Sequence, residues 1–204
     1  MHILSISKDK GWNLINTFQK DKALVSIPAA ALITHDTPFV RDAKLPKDMT
    51  VYGAVAAALT LNHGSEYRWY RLWQDTWPTR KDFEESMPLC WNTAQQGLLP
   101  ATAQDLLEKQ RAKFESDLVV VENEGRMAAE LGKDWKGWYR YYWLVVNTRC
   151  FYWVYFRKAQ QMARKGKKLA RDECLALVPW GDYFNHADHG VRLVPLPRFW
   201  WMGC

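Results

Sequence analysis

The sequence predicts an α+β chain: short strands interrupted by a mainly helical insertion. Three observations carry that class. Short apolar runs closed by proline stand near both ends, at residues 23–28 (ALVSIP) and 174–179 (CLALVP). Between them, residues 48–140 change character, with an alanine-rich run and dense aromatics at helical spacings. No internal repeat and no polar linker divides the chain, so all 204 residues read as one domain holding that insertion.

Each element has a local reason. Residues 23–28 form a compact apolar run ended by Pro28, and residues 29–34 follow as another short apolar segment. Residues 35–47 read as a polar, proline-bearing connection. Residues 51–61 are alanine-rich and predict a helix. Tyr67, Trp69, Tyr70, Leu72, Trp73 and Trp77 form an aromatic cluster that Pro78 and Thr79 break. Residues 83–87 are a short acidic stretch before Pro88. Thr102 and Asp105 have the spacing of a capping pair, which opens a helix through about residue 118, with 119–127 as its continuation.

Residues 138–165 predict a long aromatic helix. Trp138, Tyr142, Val145, Arg149, Tyr152 and Phe156 recur at steps of three or four and share one face. Other aromatics cover much of the rest, so this helix is expected to be buried on most sides. Arg149 in its middle then needs a partner, because an unpaired buried charge is expensive. Residues 165–168 read as a basic, glycine-bearing turn, and residues 174–178 as a short apolar strand.

Composition narrows the function classes. The chain is 48% apolar and 25% charged, which argues against global disorder, collagen and low-complexity architectures. Its 28 basic and 22 acidic residues leave a formal charge of +6, too mild to name nucleic acid as a partner. The basic residues Arg157, Lys158, Arg164, Lys165, Lys167, Lys168 and Arg171 read as a solvated helix face, so nucleic acid is not the expected partner. The 12 tryptophans indicate thick aromatic packing or aromatic-lined pockets. Four scattered cysteines without a CxxC pair fit free thiols in a reducing compartment. Residues 1–10 lack a secretory apolar run, and residues 141–156 fall short of the ~20 apolar residues that span a bilayer. The expected location is intracellular, nucleus or cytoplasm, with no membrane partner.

The chemistry concentrates after the last strand run. Asp182, Asn185, His186, Asp188 and His189 crowd into eight positions. A polar turn would look the same. His186-x-x-His189 with a neighbouring aspartate would also suit zinc or iron, although the HExxH and Cys/His finger signatures are absent.

Asp182-x-x-Asn185-His186 behind Leu177-Val178-Pro179 resembles the P-x-x-D-x-x-N-H segment of SET-domain protein-lysine methyltransferases. The closest likeness is to the Rubisco large-subunit methyltransferase-like subgroup, whose SET fold carries a helical insertion. Asn147-Thr148-Arg149-Cys150-Phe151 resembles that subgroup's S/T-R-x-F helix. Leu24-Val25-Ser26-Ile27-Pro28 with Leu32-Ile33-Thr34 is similar to its early strand and continuation. Phe83, Ser86, Met87, Pro88 and Trp91, with Leu98-Leu99-Pro100, resemble its insertion. The motifs follow in family order across about residues 10–190.

The resemblance implies methyl transfer from S-adenosylmethionine to the lysine ε-amine of a protein substrate. It implies that Asn185 and His186 hold the cofactor, and that Gly11 stands for the second glycine of the family's Gly-x-Gly edge. It places Arg149 and Asp182 near substrate and cofactor cleft, where they also suit each other as a buried ion pair. It puts Trp153, four residues after Arg149, at a substrate-side contact, a position plain helix packing explains equally. Two departures follow. Asp9 occupies the first glycine position, where only glycine adopts positive φ without penalty. Residues 191–204 hold no counterpart of the family's glycine-tyrosine segment with its catalytic tyrosine. On that basis the chain is expected to be a truncated SET domain, weak or inactive. The alternative is a degenerate, non-enzymatic SET module acting in protein–protein interaction.

Overall fold

The computed structural model describes residues 27–64, 68–154, 162–166 and 174–183. Eight helices and one pair of short strands are assigned within them. The helices are α1 (Pro38–Asp42), α2 (Val51–Leu61), α3 (Arg68–Gln74), α4 (Arg80–Ser86), α5 (Thr93–Gln96), α6 (Ala101–Glu124), α7 (Arg126–Leu131) and α8 (Trp135–Arg149). The strands are β1 (Cys150–Tyr152) and β2 (Leu175–Leu177), antiparallel, with Cys150 opposite Leu177 and Tyr152 opposite Leu175. The described residues are thus mainly helical with a small sheet, an arrangement compatible with the α+β class.

Helix α2 is the inner helix. Its alanines cost no side-chain entropy and let neighbours approach closely. Val55, Ala56, Ala57 and Ala58 are fully buried. Helix α8 packs along it and contributes Tyr139, Trp143, Val145 and Val146 to the same core. Thr50 caps α2, its hydroxyl accepting from the Gly53 N–H at 2.9 Å. Helix α6 turns one stripe inward, with Leu107, Phe114, Asp117 and Val121 buried, and Gly125 at φ 74° ends it.

Several expectations change on contact with the structure. Residues 29–31 form a 3₁₀ turn rather than a strand, and of this segment Ile33 alone bridges to Leu177. Three successive alanines after Pro28 favour a tight turn over a pleated run. The connection at 35–47 contains α1, started by Pro38 in its first turn. Residues 83–87 belong largely to α4, which a Thr79–Asp82 capping box opens and whose Phe83 is buried. Thr102 caps nothing: α6 begins at Ala101 directly behind Pro100, without a side-chain cap.

The largest correction concerns residues 138–165. Helix α8 stops at Arg149, and residues 150–152 pair with β2 instead of continuing it. The aromatic periodicity persists across that boundary, but a long-range backbone ladder overrides it, as tertiary context commonly does. Trp138, Tyr142, Val145 and Arg149 therefore lie on one helix, while Tyr152 is an exposed strand residue.

Candidate functional site

The β1–β2 pairing builds the site. Cys150 opens β1 and faces Leu177, which ends β2. Because the strands are antiparallel, the residue before Cys150 and the residues after Leu177 lie at the same end of the ladder. Arg149 is the former. The latter are the turn at residues 178–181 and the 3₁₀ turn Gly181–Tyr183 that carries Asp182. Arg149 sits in the last turn of α8, where a cation is favoured by the helix dipole.

Arg149 and Asp182 meet there. Arg149 Nη1 donates to Asp182 Oδ2 in a close ion pair. Asp182 is almost wholly buried, its side chain 2% exposed against 17% for Arg149. Its other oxygen, Oδ1, accepts from Trp73 Nε1 at 2.9 Å. Trp73 is fully buried and packs edge-on against Trp77, with ring centroids 4.8 Å apart. The pair thereby ties the end of α8 and the loop after β2 to α3. A buried ion pair of this kind adds little net stability over an apolar substitute, but removing one partner is costly.

The neighbours are aromatic. Burial raises the Tyr183 phenol, with a Thr76 hydrogen bond opposing it. The Tyr141 phenol is pushed up to about 12 by burial, against the charge of Arg149. Trp180 packs its ring edgewise on Tyr183 at 5.5 Å and remains 40% exposed. Both phenols stay neutral near neutral pH, so the cluster supplies hydrogen bonds and aromatic surface rather than a base.

Asp182 has both oxygens engaged inside the fold, Oδ1 by Trp73 and Oδ2 by Arg149, which orients the loop. Among the described residues, the buried Arg149 Nε has no hydrogen-bond partner. The exposed indole of Trp180 is the described group at this site that offers a flat face to a ligand. The sequence pointed to Arg149 and Asp182. It did not single out Trp73 as the donor to Asp182, since an indole inside an aromatic cluster reads as packing.

Trp153 is a correction. It is not on the α8 face one turn after Arg149. It lies past β1, where its backbone N–H donates to the Cys174 carbonyl at 3.1 Å. Gly11, Asn185 and His186, and the His186–His189 metal reading, fall outside the described residues. Among the described residues no cluster of three or more His, Cys, Asp or Glu side chains could hold a metal ion. No helix among them is long and apolar enough to cross a membrane.

A cavity of about 520 Å³ lies elsewhere, lined by residues including Phe39, Asp42, Asn62, Tyr70, Arg126 and Glu130. Neither Arg149, Asp182 nor Trp153 lines it. Comparison with known protein families, curated proteins and solved structures finds no match for this chain.

Proposed function

We propose that this chain is an S-adenosylmethionine-dependent protein-lysine N-methyltransferase of SET type, with a lysine-bearing protein as substrate. The observation that carries the reading is the Arg149–Asp182 pair. These residues stand 33 positions apart, in two separate motifs that the resemblance places near one cleft, and the buried charge of Arg149 calls for such a partner. Their ion pair fixes the start of the segment on which Asn185 and His186 follow, three and four residues after Asp182. On this reading Asn185 and His186 hold the cofactor, and Gly11 stands for the second glycine of the segment whose backbone approaches it. Bound there, S-adenosylmethionine would supply an electrophilic methyl group. The protein's part is to orient the amine and to exclude water around it.

The test is calorimetry of the full chain with S-adenosylmethionine, followed by a radiolabelled methyl-transfer assay on lysine-bearing proteins. Saturable binding that Asn185→Ala abolishes is the expected result. A chain that is folded by circular dichroism yet releases no binding heat would overturn the reading. A second reading, a non-enzymatic interaction module, draws on the exposed Leu72, Tyr152 and Trp180 side chains. It predicts a folded chain that is silent to the cofactor.

A further inference from the structure

The turn that leaves β2 sets an unsuitable residue in a demanding position. The Gly181 N–H donates to the Val178 carbonyl at 3.0 Å, closing a four-residue turn. Pro179 fixes the second position at negative φ. Trp180, at the third, has φ +67°. That combination is a type II turn, whose third residue is normally glycine or asparagine. Among the described residues only Lys44 and Trp180 are non-glycine residues at positive φ, and a bulky aromatic there is a strained outlier.

The adjacent glycine does not relieve the strain, because packing requires it where it is. A Cβ at Gly181 would stand 2.7 Å from Val178 Cγ1. Nor does burial compensate, since Trp180 is 40% exposed and meets Tyr183 only edgewise. The indole therefore strains its backbone and stays largely open to solvent. Strain that packing does not explain is characteristic of positions that contact a ligand.

We propose that Trp180 is a ligand-contact residue, its open indole face stacking on the adenine ring of S-adenosylmethionine. The inference rests on the cofactor reading above. The cofactor is favoured over the protein substrate because Trp180 precedes Asn185 and His186, the cofactor residues of that reading, by only five and six positions in the sequence. A heteroaromatic base stacks on an indole without needing a hydrogen-bond partner.

The experiment compares wild type, Trp180→Gly and Trp180→Phe as full chains, by calorimetry with S-adenosylmethionine and by thermal denaturation. Glycine relieves the turn, so Trp180→Gly is expected to raise Tm by about 2–4 °C. It is expected to weaken cofactor binding about tenfold, with Trp180→Phe retaining most of the affinity. Wild-type affinity in Trp180→Gly would overturn the contact and leave the cofactor reading standing. Lower Tm together with lost binding would make Trp180 a packing residue and overturn the contact. No binding by the folded wild type would overturn the cofactor reading and this contact with it.

Discussion

Two aspartates with buried carboxylates, each accepting from an indole N–H, hold this chain together in different ways. Asp182 accepts from Trp73 and pairs with the guanidinium of Arg149. Asp117, on α6, has no cation paired with it among the described residues. It accepts from the Thr50 N–H at 2.9 Å, the Thr50 hydroxyl at 2.6 Å and Trp143 Nε1 at 3.3 Å. Its compensation is neutral donors at the N-terminus of α2, where the helix dipole favours an anion. Asp117 sits inside the helical body, with three elements closed around it. Asp182 sits on a loop, two residues after a strained tryptophan and paired with Arg149. The comparison teaches that burial of a carboxylate alone does not mark a site. The partners differ: neutral donors on neighbouring helices hold Asp117, and a charged guanidinium holds Asp182.

The largest expected effect comes from breaking the charged pair. Arg149→Met leaves Asp182 buried with an uncompensated charge, so urea denaturation should show a loss of about 3–5 kcal/mol. Adding Asp182→Asn should recover part of that loss, because the two residues act as one unit. If the single and double variants are equally unstable, the pair is not what holds the loop to α8.

Next comes Gly53→Ala, aimed at Asp117. A Cβ on Gly53 would lie 2.5 and 2.6 Å from the two Asp117 oxygens. Alanine is otherwise the better helix former, so propensity alone predicts stabilisation. The steric term should win and destabilise by about 1–3 kcal/mol. In an Asp117→Ala background the same change should become neutral or favourable. Additive effects in that double-mutant cycle would refute the close approach of α2 to α6.

A smaller effect separates the tether from an ordinary cap. Thr50→Ala removes both the N-cap acceptor of α2 and a donor to Asp117, and should cost about 1–2 kcal/mol. Thr79→Ala removes an exposed cap of α4 and should cost about 0.5–1 kcal/mol. Equal losses by thermal denaturation would mean that burial adds nothing to the Thr50 contact.

The two aspartates also differ in how far the sequence displayed them. Asp182 stood in a crowded polar loop with a recognisable spacing, and Arg149 advertised itself as a charge on an aromatic helix. Asp117 left a weaker trace. Leu107, Phe114 and Val121 recur every seven residues, and Asp117 falls three after Phe114 on that same stripe. An acid on the apolar face of a helix, with a glycine inside the alanine-rich helix, was the available signal. Helix α2 was legible because its alanines leave little alternative. The end of α8 was not, because apolar periodicity runs on past Arg149 and only pairing with a strand 25 residues later stops it. Nor was the strain at Trp180, since Pro-Trp-Gly suggests that the glycine takes the positive φ.

The smallest effect concerns pH and lies at the far end of α2 from Asp117. At the end of α2 opposite Asp117, His63 stacks on Trp138 with ring centroids 3.6 Å apart, and its Nδ1 lies 3.0 Å from the Tyr142 hydroxyl. Burial, and then the Arg80 charge, lower its pKa below the usual histidine value, with Asp134 opposing them. The folded state therefore resists a proton that the unfolded chain accepts. The contribution is fully present above a pH of about 6.5 and is lost as pH falls through the lowered folded value. Asp82 and Asp134 are lowered too, so their contributions fade only in the acid range below about pH 4. Stability followed by urea denaturation should decline modestly from pH 7 to 5.5 in the wild type and stay flat in His63→Gln. A decline that survives in His63→Gln would assign the neutral-range titration to another group.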